Sequence, residues 1–151
     1  LLFLSASSLF SAPATKAEAD AMGKKIVGYF PDWGIYDAHR NYEVSQIPWD
    51  KLTHVNLAFV DIMPVTFKLK PADAGADLER SFGEAWKSKF KGNYGQLRKY
   101  KAKYPHVSVM MSIGGWTLSG QFGTLANDTR NVELFAKNSV AYMVEHGFDG
   151  I

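Results

Sequence analysis

The sequence contains no cysteine. This absence excludes a disulfide scaffold, a zinc site with cysteine ligands and a cysteine nucleophile. The formal net charge is also small, only +2 over 151 residues. A charge this small argues against nucleic acid as a partner. None of the histidines has the spacing of a metal site such as H-E-x-x-H, so we assign no metal and no cofactor; they are His39, His54, His106 and His146.

Phosphate-binding patterns are missing too, since neither G-x-G-x-x-G nor G-x-x-x-x-G-K occurs. Apolar and aromatic residues, by contrast, are plentiful. Hydrophobic residues make up 46% of the chain and aromatic residues 14%, enough to bury the core of one ordinary domain. So many aromatic rings also suit a sugar-binding cleft, where flat rings stack on pyranose faces.

The first residues have the pattern of a secretory signal peptide. Residues 1–10, LLFLSASSLF, form an apolar run of the length of an h-region, too short to span a bilayer. Small residues follow, and Ala17-Glu18-Ala19 matches an A-x-A cleavage site. The alternative is a buried apolar strand or helix. We expect residues 1–19 to be a partial signal peptide that is removed, and residues 20–151 to form the folded domain.

Strand and helix patterns alternate along the rest of the chain. Strands are predicted at 24–30, 53–62 and 107–116, and a further strand begins at Phe148. Helices are predicted at 93–104 and from Asp128 or Thr129 to a cap at Gly147, with a short helix at 78–86. This alternation is typical of parallel α/β construction, either a barrel or an open sheet.

The third predicted strand, VSVMMSIGGW, has two different faces. Residues 107, 109, 111 and 113 form an apolar row, whereas residues 108, 110, 112 and 114 form a smaller and more polar row. A strand of this kind fits a parallel sheet covered by helices on its apolar side. In the last helix, an apolar stripe at helical spacing predicts the buried face: Val132, Phe135, Ala136, Ser139, Val140 and Met143.

Two motifs lie where predicted strands end. SIGGW, Ser112 to Trp116, places two glycines where a ligand or a neighbouring backbone approaches closely, and GYFPDW, Gly28 to Trp33, ends the first strand. Each also has a plain structural interpretation. SIGGW is then a glycine turn with Trp116 as a packing residue, and the aromatic residues of GYFPDW belong to the core.

Taken together and in order, the motifs resemble the family 18 glycoside hydrolases, and they look most like the secreted bacterial chitinases of that family. The resemblance rests on KIVGYFPDW, THVNLAFVDI, KGNYGQL, SIGGW and FDGI, and it covers residues 24–151. It implies the N-terminal half of a (β/α)8 TIM barrel, cut at the start of strand 4, with the site at the C-terminal ends of the strands.

The resemblance also implies a chemistry. Chitin or chitooligosaccharide would be cleaved at β-1,4-N-acetylglucosamine linkages with retention, as an exception to the two-carboxylate scheme. The glutamate that ends the D-G-x-D-x-D-x-E motif protonates the leaving oxygen, and the acetamido carbonyl of the substrate attacks the anomeric carbon. Asp149 matches the first aspartate of this motif, so the inner acids and the glutamate would fall at positions 152, 154 and 156, beyond Ile151. Successive side chains of a strand point to opposite faces, so Asp149 points away from the face that positions 152, 154 and 156 share. We therefore expect Asp149 to take no part as an acid.

Other family residues map onto this sequence one by one. Tyr29 and Ser112 match the tyrosine and serine that hydrogen-bond the first inner acid. The sugar-lining residues of the family match a second set, which is Gly114, Gly115, Trp116, Thr117, Phe59 and Trp33. The alternation of the second strand leaves open which face of the sheet the Phe59 side chain points to.

The implied parent protein is a secreted, extracellular enzyme that is monomeric at full length and has no nucleic-acid partner and no membrane association after signal cleavage. The fragment by itself is expected to be inactive, because it lacks the glutamate. Two alternatives stay open: a catalytically inactive, lectin-like chitin-binding protein on the same barrel, and an unrelated α/β enzyme with a coincidental SIGGW.

Overall fold

The computed structural model describes residues 23–85 and 87–151. The predicted signal peptide, residues 1–19, lies outside the described residues, as does Trp86.

A mostly parallel sheet forms the centre of the molecule. Strand β2 (His54–Ile62) lies between β1 (Val27–Pro31) and β4 (Ser108–Ile113), and it pairs with both in parallel. The short strand β3 (Leu69–Pro71) pairs antiparallel with the C-terminal end of β2. The strands predicted at 24–30, 53–62 and 107–116 are therefore present with different bounds, whereas β3 was not predicted. Of the strand predicted from Phe148, the described residues contain a single parallel bridge between Gly150 and Met110.

The two faces of the sheet differ as the alternation of side chains predicted. The face bearing Phe30, Leu57 and Met111 is buried in the hydrophobic core beneath the helices. The opposite face, here called the inner face, bears Tyr29, Asn56 and Met110, whose Cα atoms are register partners across the sheet. Because parallel partners point the same way, these side chains form one row.

Three α-helices accompany the sheet in the part of the chain that the structure describes. They are α1 (Gly92–Lys103), α2 (Gln121–Ala126) and α3 (Thr129–His146). The predicted capping of α3 is confirmed at both ends. The Asp128 side chain accepts a hydrogen bond from the Arg130 N–H, and Gly147 adopts the left-handed conformation with φ 77°.

The loop between β1 and β2 is built from short 3₁₀ turns at Asp32–Ile35, Asp37–His39, Val44–Gln46 and Trp49–Lys51. Trp49 anchors this loop to α1. Its ring stacks on Tyr100 at 5.7 Å and on Tyr104 at 6.0 Å between centroids, and its indole N–H donates to the Val44 carbonyl at 2.9 Å. Tyr100 and Tyr104 thus hold this loop against α1 and the residue that follows it.

Two details of the predicted helices are wrong. The helix expected at 78–86 is replaced by a π-helical turn, Gly75–Glu79, and residues 80–85 have no helical structure. In α3 the buried residues are Ser139 and Tyr142, whereas Val132 and Val140 of the predicted stripe are exposed. The buried face of α3 is therefore rotated from the apolar stripe toward Tyr142, whose ring and hydroxyl contact those of Tyr94 in α1.

Among the described residues, no helix combines the length and the apolar character that crossing a membrane requires.

Gly92, at the start of α1, is the tightest point between α1 and the π-helical turn. It is buried, its φ is 62°, and a Cβ there would overlap the backbone of Asp77 and Leu78. We expect Gly92→Ala to lower the free energy of unfolding by about 2–3 kcal/mol, because backbone cannot yield as a flexible side chain can. Gly123→Ala is the matched control, since no atom lies within 4 Å of its Cβ position. The control should change stability by less than about 1 kcal/mol. Equal urea midpoints for the two variants would contradict the expectation.

Candidate active site

Tyr29 and Ser112, predicted to support a missing acid, line one open cavity of about 350 Å³. Tyr29 is 64% exposed, because it projects from the inner face near the end of β1. Ser112 lies on β4, where it pairs with Ala58 of β2. Within the described parts of the chain, neither hydroxyl has a hydrogen-bond partner. The full lining of the cavity is Tyr29, Asn56, Met110, Met111, Ser112, Ile113, Phe122, Phe135 and Ile151.

A second cavity collects the predicted aromatic contact residues. It also has a volume of about 350 Å³, and we call it the aromatic cavity; it is lined by Asp32, Trp33, Phe59, Ala72, Asp73, Trp116, Thr117 and Leu118. The rings of Trp33 and Phe59 face each other with centroids 6.0 Å apart. The Trp116 side chain is fully exposed. Fully exposed tryptophan is uncommon in a folded chain, and it marks a surface suited to flat, partly apolar ligands.

The structure shows which way the Phe59 side chain points, a question that the alternation of the second strand left open. Ala58 pairs with Ser112 and Val60 pairs with Ile113, so Phe59 is an extra residue in β2. The peptide bond between Ala58 and Phe59 is cis. A bulge of this kind redirects one side chain beside a site while the rest of the strand keeps its pattern. The Phe59 ring therefore reaches the aromatic cavity.

The glycines of SIGGW make room for protein side chains. Gly114 and Gly115 both have positive φ, at 95° and 84°. A Cβ on Gly115 would lie 2.8 Å from the Phe59 ring, and one on Gly114 would lie 2.6 Å from the Ser119 hydroxyl oxygen. The close approach expected at these glycines thus involves the ring and the loop that shape the two cavities.

Asp149 lies away from both cavities. Its Oδ2 accepts a hydrogen bond from the Val109 N–H at 2.8 Å, and its Oδ1 lies 2.5 Å from the Lys101 Nζ. Lys101 also donates to the Gly147 carbonyl at 3.0 Å. The carboxylate therefore ties the segment after α3 to β4 and to α1, on the helix-covered side of the sheet.

A buried carboxyl group was missed beneath the aromatic cavity. Asp32 is 1% exposed, and its Oδ2 has no hydrogen-bond partner among the described residues. Burial raises the pKa of Asp32 to about 6, although a hydrogen bond from the Trp33 backbone N–H acts in the other direction. The signal in the sequence was an acidic residue between aromatic residues directly after a strand.

Asn93 connects this carboxyl group to a second one. Its amide donates both to the backbone carbonyl of Asp32 at 3.0 Å and to Oδ1 of Asp77 at 3.1 Å. Asp77 is fully buried. Burial, followed by the charge of Asp32, raises the pKa of Asp77 to about 8. The KGNYGQL segment therefore acts as a support for the loop that carries Trp33.

Asn56 and Asp73 were also missed. Asn56 lies in the middle of β2 and lines the Tyr29 cavity, and Asp73 lines the aromatic cavity and accepts a hydrogen bond from the Tyr36 hydroxyl at 2.7 Å. Within residues 23–85 and 87–151, no three His, Cys, Asp or Glu side chains group closely enough to hold a metal ion.

The chain is similar to proteins of a known family. Residues 25–151 match the model of the glycosyl hydrolases family 18. The chain belongs to this family. Chitinase A1 of Niallia circulans is 33% identical over 92% of the chain, and Chitinase C of Streptomyces lividans is 35% identical over 83%. Among solved structures, Chitinase ChiA74 from Bacillus thuringiensis aligns with 83% of the chain at 35% identity and a TM-score of 0.75.

The match also defines what part of a family 18 domain is present. The chain spans 24% and 20% of the lengths of the two relatives, and 26% of the Bacillus thuringiensis structure. Family 18 membership gives the chain a TIM-barrel-type α/β fold, to which the parallel β1–β2–β4 arrangement belongs. The aromatic cavity lies at the C-terminal ends of these strands, where barrel enzymes carry their sites, and the Tyr29 cavity lies along the inner face of the sheet.

The raised pKa of Asp77 predicts a specific pH dependence of stability. The folded-state pKa of about 8 exceeds the usual value of 3.8, so the folded protein binds more protons than the unfolded chain between these values. The contribution of Asp77 to the free energy of unfolding is then fully present below about pH 4 and is lost as the pH rises toward 8. We expect Asp77→Asn, which keeps an acceptor for Asn93, to remove the loss between pH 6 and pH 8. Urea unfolding at several pH values measures this, and parallel curves for both proteins would contradict it.

Proposed function

We propose that this chain is the N-terminal part of the catalytic domain of a secreted chitinase. Residues 1–19 then form a partial signal peptide, and residues 20–151 carry the first half of a (β/α)8 barrel that ends at the start of strand 4. The partial coverage of the relatives supports this division. The substrate is chitin or a chitooligosaccharide, and the family match supports it, because the similar proteins are named chitinases.

One observation carries the proposal: Tyr29 and Ser112, from different strands, line one cavity, and their hydroxyl groups have no hydrogen-bond partner among the described residues. The pairing of Met110 with Gly150 extends the sheet in parallel. Two residues further along the same register, position 152 of a longer protein lies opposite Ser112. An aspartate at 152 would then accept hydrogen bonds from Ser112 and Tyr29, which stabilise its charged form.

The proposed reaction follows the retaining, substrate-assisted route. A glutamate at position 156 protonates the glycosidic oxygen, while the acetamido carbonyl oxygen of the substrate attacks the anomeric carbon. The nucleophile is already attached to the sugar, so the protein contributes mainly orientation. Tyr29 and Ser112 position the acids, and the aromatic cavity holds neighbouring sugars through Trp33, Phe59 and Trp116. The 151-residue chain lacks these acids and is inactive by itself.

The test uses the complete protein that carries this chain, assayed on chitooligosaccharides by product analysis and by NMR of the anomer released first. We expect the β-anomer, and no hydrolysis by the 151-residue chain. Tyr29→Phe should lower kcat about 10- to 100-fold, because it removes one hydrogen bond to the supporting acid. Tyr100→Phe, which changes a ring packed on Trp49, is the control and should keep full activity. Binding without hydrolysis by the complete protein would favour the lectin-like alternative.

Trp116 offers a separate test of the sugar-binding surface. Its fully exposed ring at the aromatic cavity should stack on a pyranose, so Trp116→Ala should weaken oligosaccharide binding about tenfold. Isothermal titration with an inactive form of the complete protein measures this affinity. Val144→Ala, which shortens another exposed apolar side chain on α3, should bind as tightly as the unmodified protein. An unchanged dissociation constant for Trp116→Ala would contradict a role for this ring.

A further inference from the structure

The aromatic cavity carries two carboxyl groups, from Asp32 and Asp73, beside its aromatic rings. Among the described residues that line it, none is a lysine, an arginine or a histidine. Three of them are aromatic, namely Trp33, Phe59 and Trp116, and the Trp116 ring is fully exposed. Aromatic faces attract a cation, and negative charge beside them strengthens the attraction. The lining therefore suits a ligand that combines a flat, partly apolar face with a positive charge.

Asp73 is a fixed anion in this lining. Its Oδ2 accepts a hydrogen bond from the Tyr36 hydroxyl at 2.7 Å, and its Oδ1 accepts one from the Ala76 N–H at 2.9 Å. Burial acts to raise the pKa of Asp73, but hydrogen bonds from Ala76, Tyr36 and Gly75 outweigh it and hold the pKa below its usual value. The group is therefore charged at neutral pH. A carboxylate has about four acceptor positions, so Asp73 can still accept a hydrogen bond from a ligand.

Asp32 adds a second carboxyl group that is buried yet incompletely paired. It is 1% exposed, and its Oδ2 has no hydrogen-bond partner among the described residues. The nearby amide of Asn93 donates elsewhere, to the Asp32 carbonyl and to Asp77. An unpaired buried oxygen in the lining of a cavity is one sign of a ligand that completes the site.

The two carboxyl groups of the lining repel each other. Burial raises the pKa of Asp32, and the charge of Asp73 raises it further, so the groups lie close enough for their charges to interact. Asp77 offers no compensating charge, because it is a third carboxyl group whose pKa is raised to about 8, mainly by burial. A positive charge in the cavity would offset the repulsion, whereas a neutral hydroxyl group offers only a hydrogen bond. The lining therefore favours an ammonium group over an uncharged one.

We propose that the aromatic cavity binds the ammonium group of a glucosamine residue, so that partially deacetylated chitin is the preferred substrate of the complete protein. This inference rests on the proposed function, since it names the form of the polymer that the same cavity selects. Loss of an acetyl group from chitin leaves a protonated amine on a pyranose ring, which combines the two features that the lining suits. The amine faces Asp73, the pyranose stacks on Trp116, and Asp32 contributes the second negative charge. The reacting sugar keeps its acetamido group as the nucleophile, so the glucosamine residue is one of its neighbours.

Isothermal titration with an inactive form of the complete protein tests the proposal at about pH 6.5, where amines are protonated and Asp73 is charged. The probes are fully acetylated chitotetraose and the tetrasaccharides that lack one acetyl group, at each position in turn. We expect one of the latter to bind about tenfold more tightly than chitotetraose, because its ammonium group gains the carboxylates and the aromatic faces. Asp73→Asn should bring the ratio of these two affinities close to one. The new amide can keep both contacts of Asp73, since its oxygen accepts from Ala76 and its NH₂ group donates to Tyr36.

Asp50→Asn is the matched control. It removes the same charge from an exposed residue that does not line the cavity, so the preference for the ammonium-bearing tetrasaccharide should stay. Urea unfolding checks that each variant is folded at the titration temperature. Equal affinities of all the tetrasaccharides for the unmodified protein would overturn the inference and leave the proposed function standing. A preference that persists in folded Asp73→Asn would overturn it as well, and the unmodified protein decides the matter if that variant does not fold. A complete protein that binds none of the probes would overturn the proposed function and, with it, the inference.

Discussion

The parallel pairing of β1, β2 and β4 is the constraint on which the candidate site depends. It sets Tyr29 beside Asn56 and Asn56 beside Met110, so side chains distant in sequence occupy one row on one face. The alternate residues, among them Leu57, enter the core under the helices. A slip of one residue in either pairing would bury Tyr29 and expose that core, so the hydrophobic burial and the site geometry enforce the same register. The residues of the site therefore keep their arrangement as long as the sheet keeps its register.

Departures from this regular pairing shape the ligand-facing surface. The extra residue in β2 sends the Phe59 ring to the aromatic cavity, and Gly115 leaves the space that this ring fills. Beneath the cavity, Asn93 joins Asp77 to the backbone of Asp32. Burial raises the pKa of both carboxyl groups, and the charge of Asp32 raises the pKa of Asp77 further. These buried carboxyl groups lie where Asn93 holds the loop that bears Trp33.

Several features could be predicted from local sequence. The capping of α3 by Asp128 and its end at Gly147 follow from short-range hydrogen bonding and backbone freedom, which depend on adjacent residues. Tyr29 and Ser112 were selected because they belong to motifs of a known order, and their roles stay predictions, whereas the family itself is shown by the match over residues 25–151. The apolar row of β4 likewise follows from the twofold alternation of a strand.

Other features were decided by contacts between distant segments. No local pattern marks β3, the bulge at Phe59, the rotated contact face of α3 or the buried pair of Asp32 and Asp77. Each arises where two elements meet, and the free energy that selects it comes from packing across the interface. The sequence by itself determined the order of elements, their caps and the family. Only the tertiary structure decided which residues share a cavity, because the side chains that line each cavity come from segments distant in the sequence.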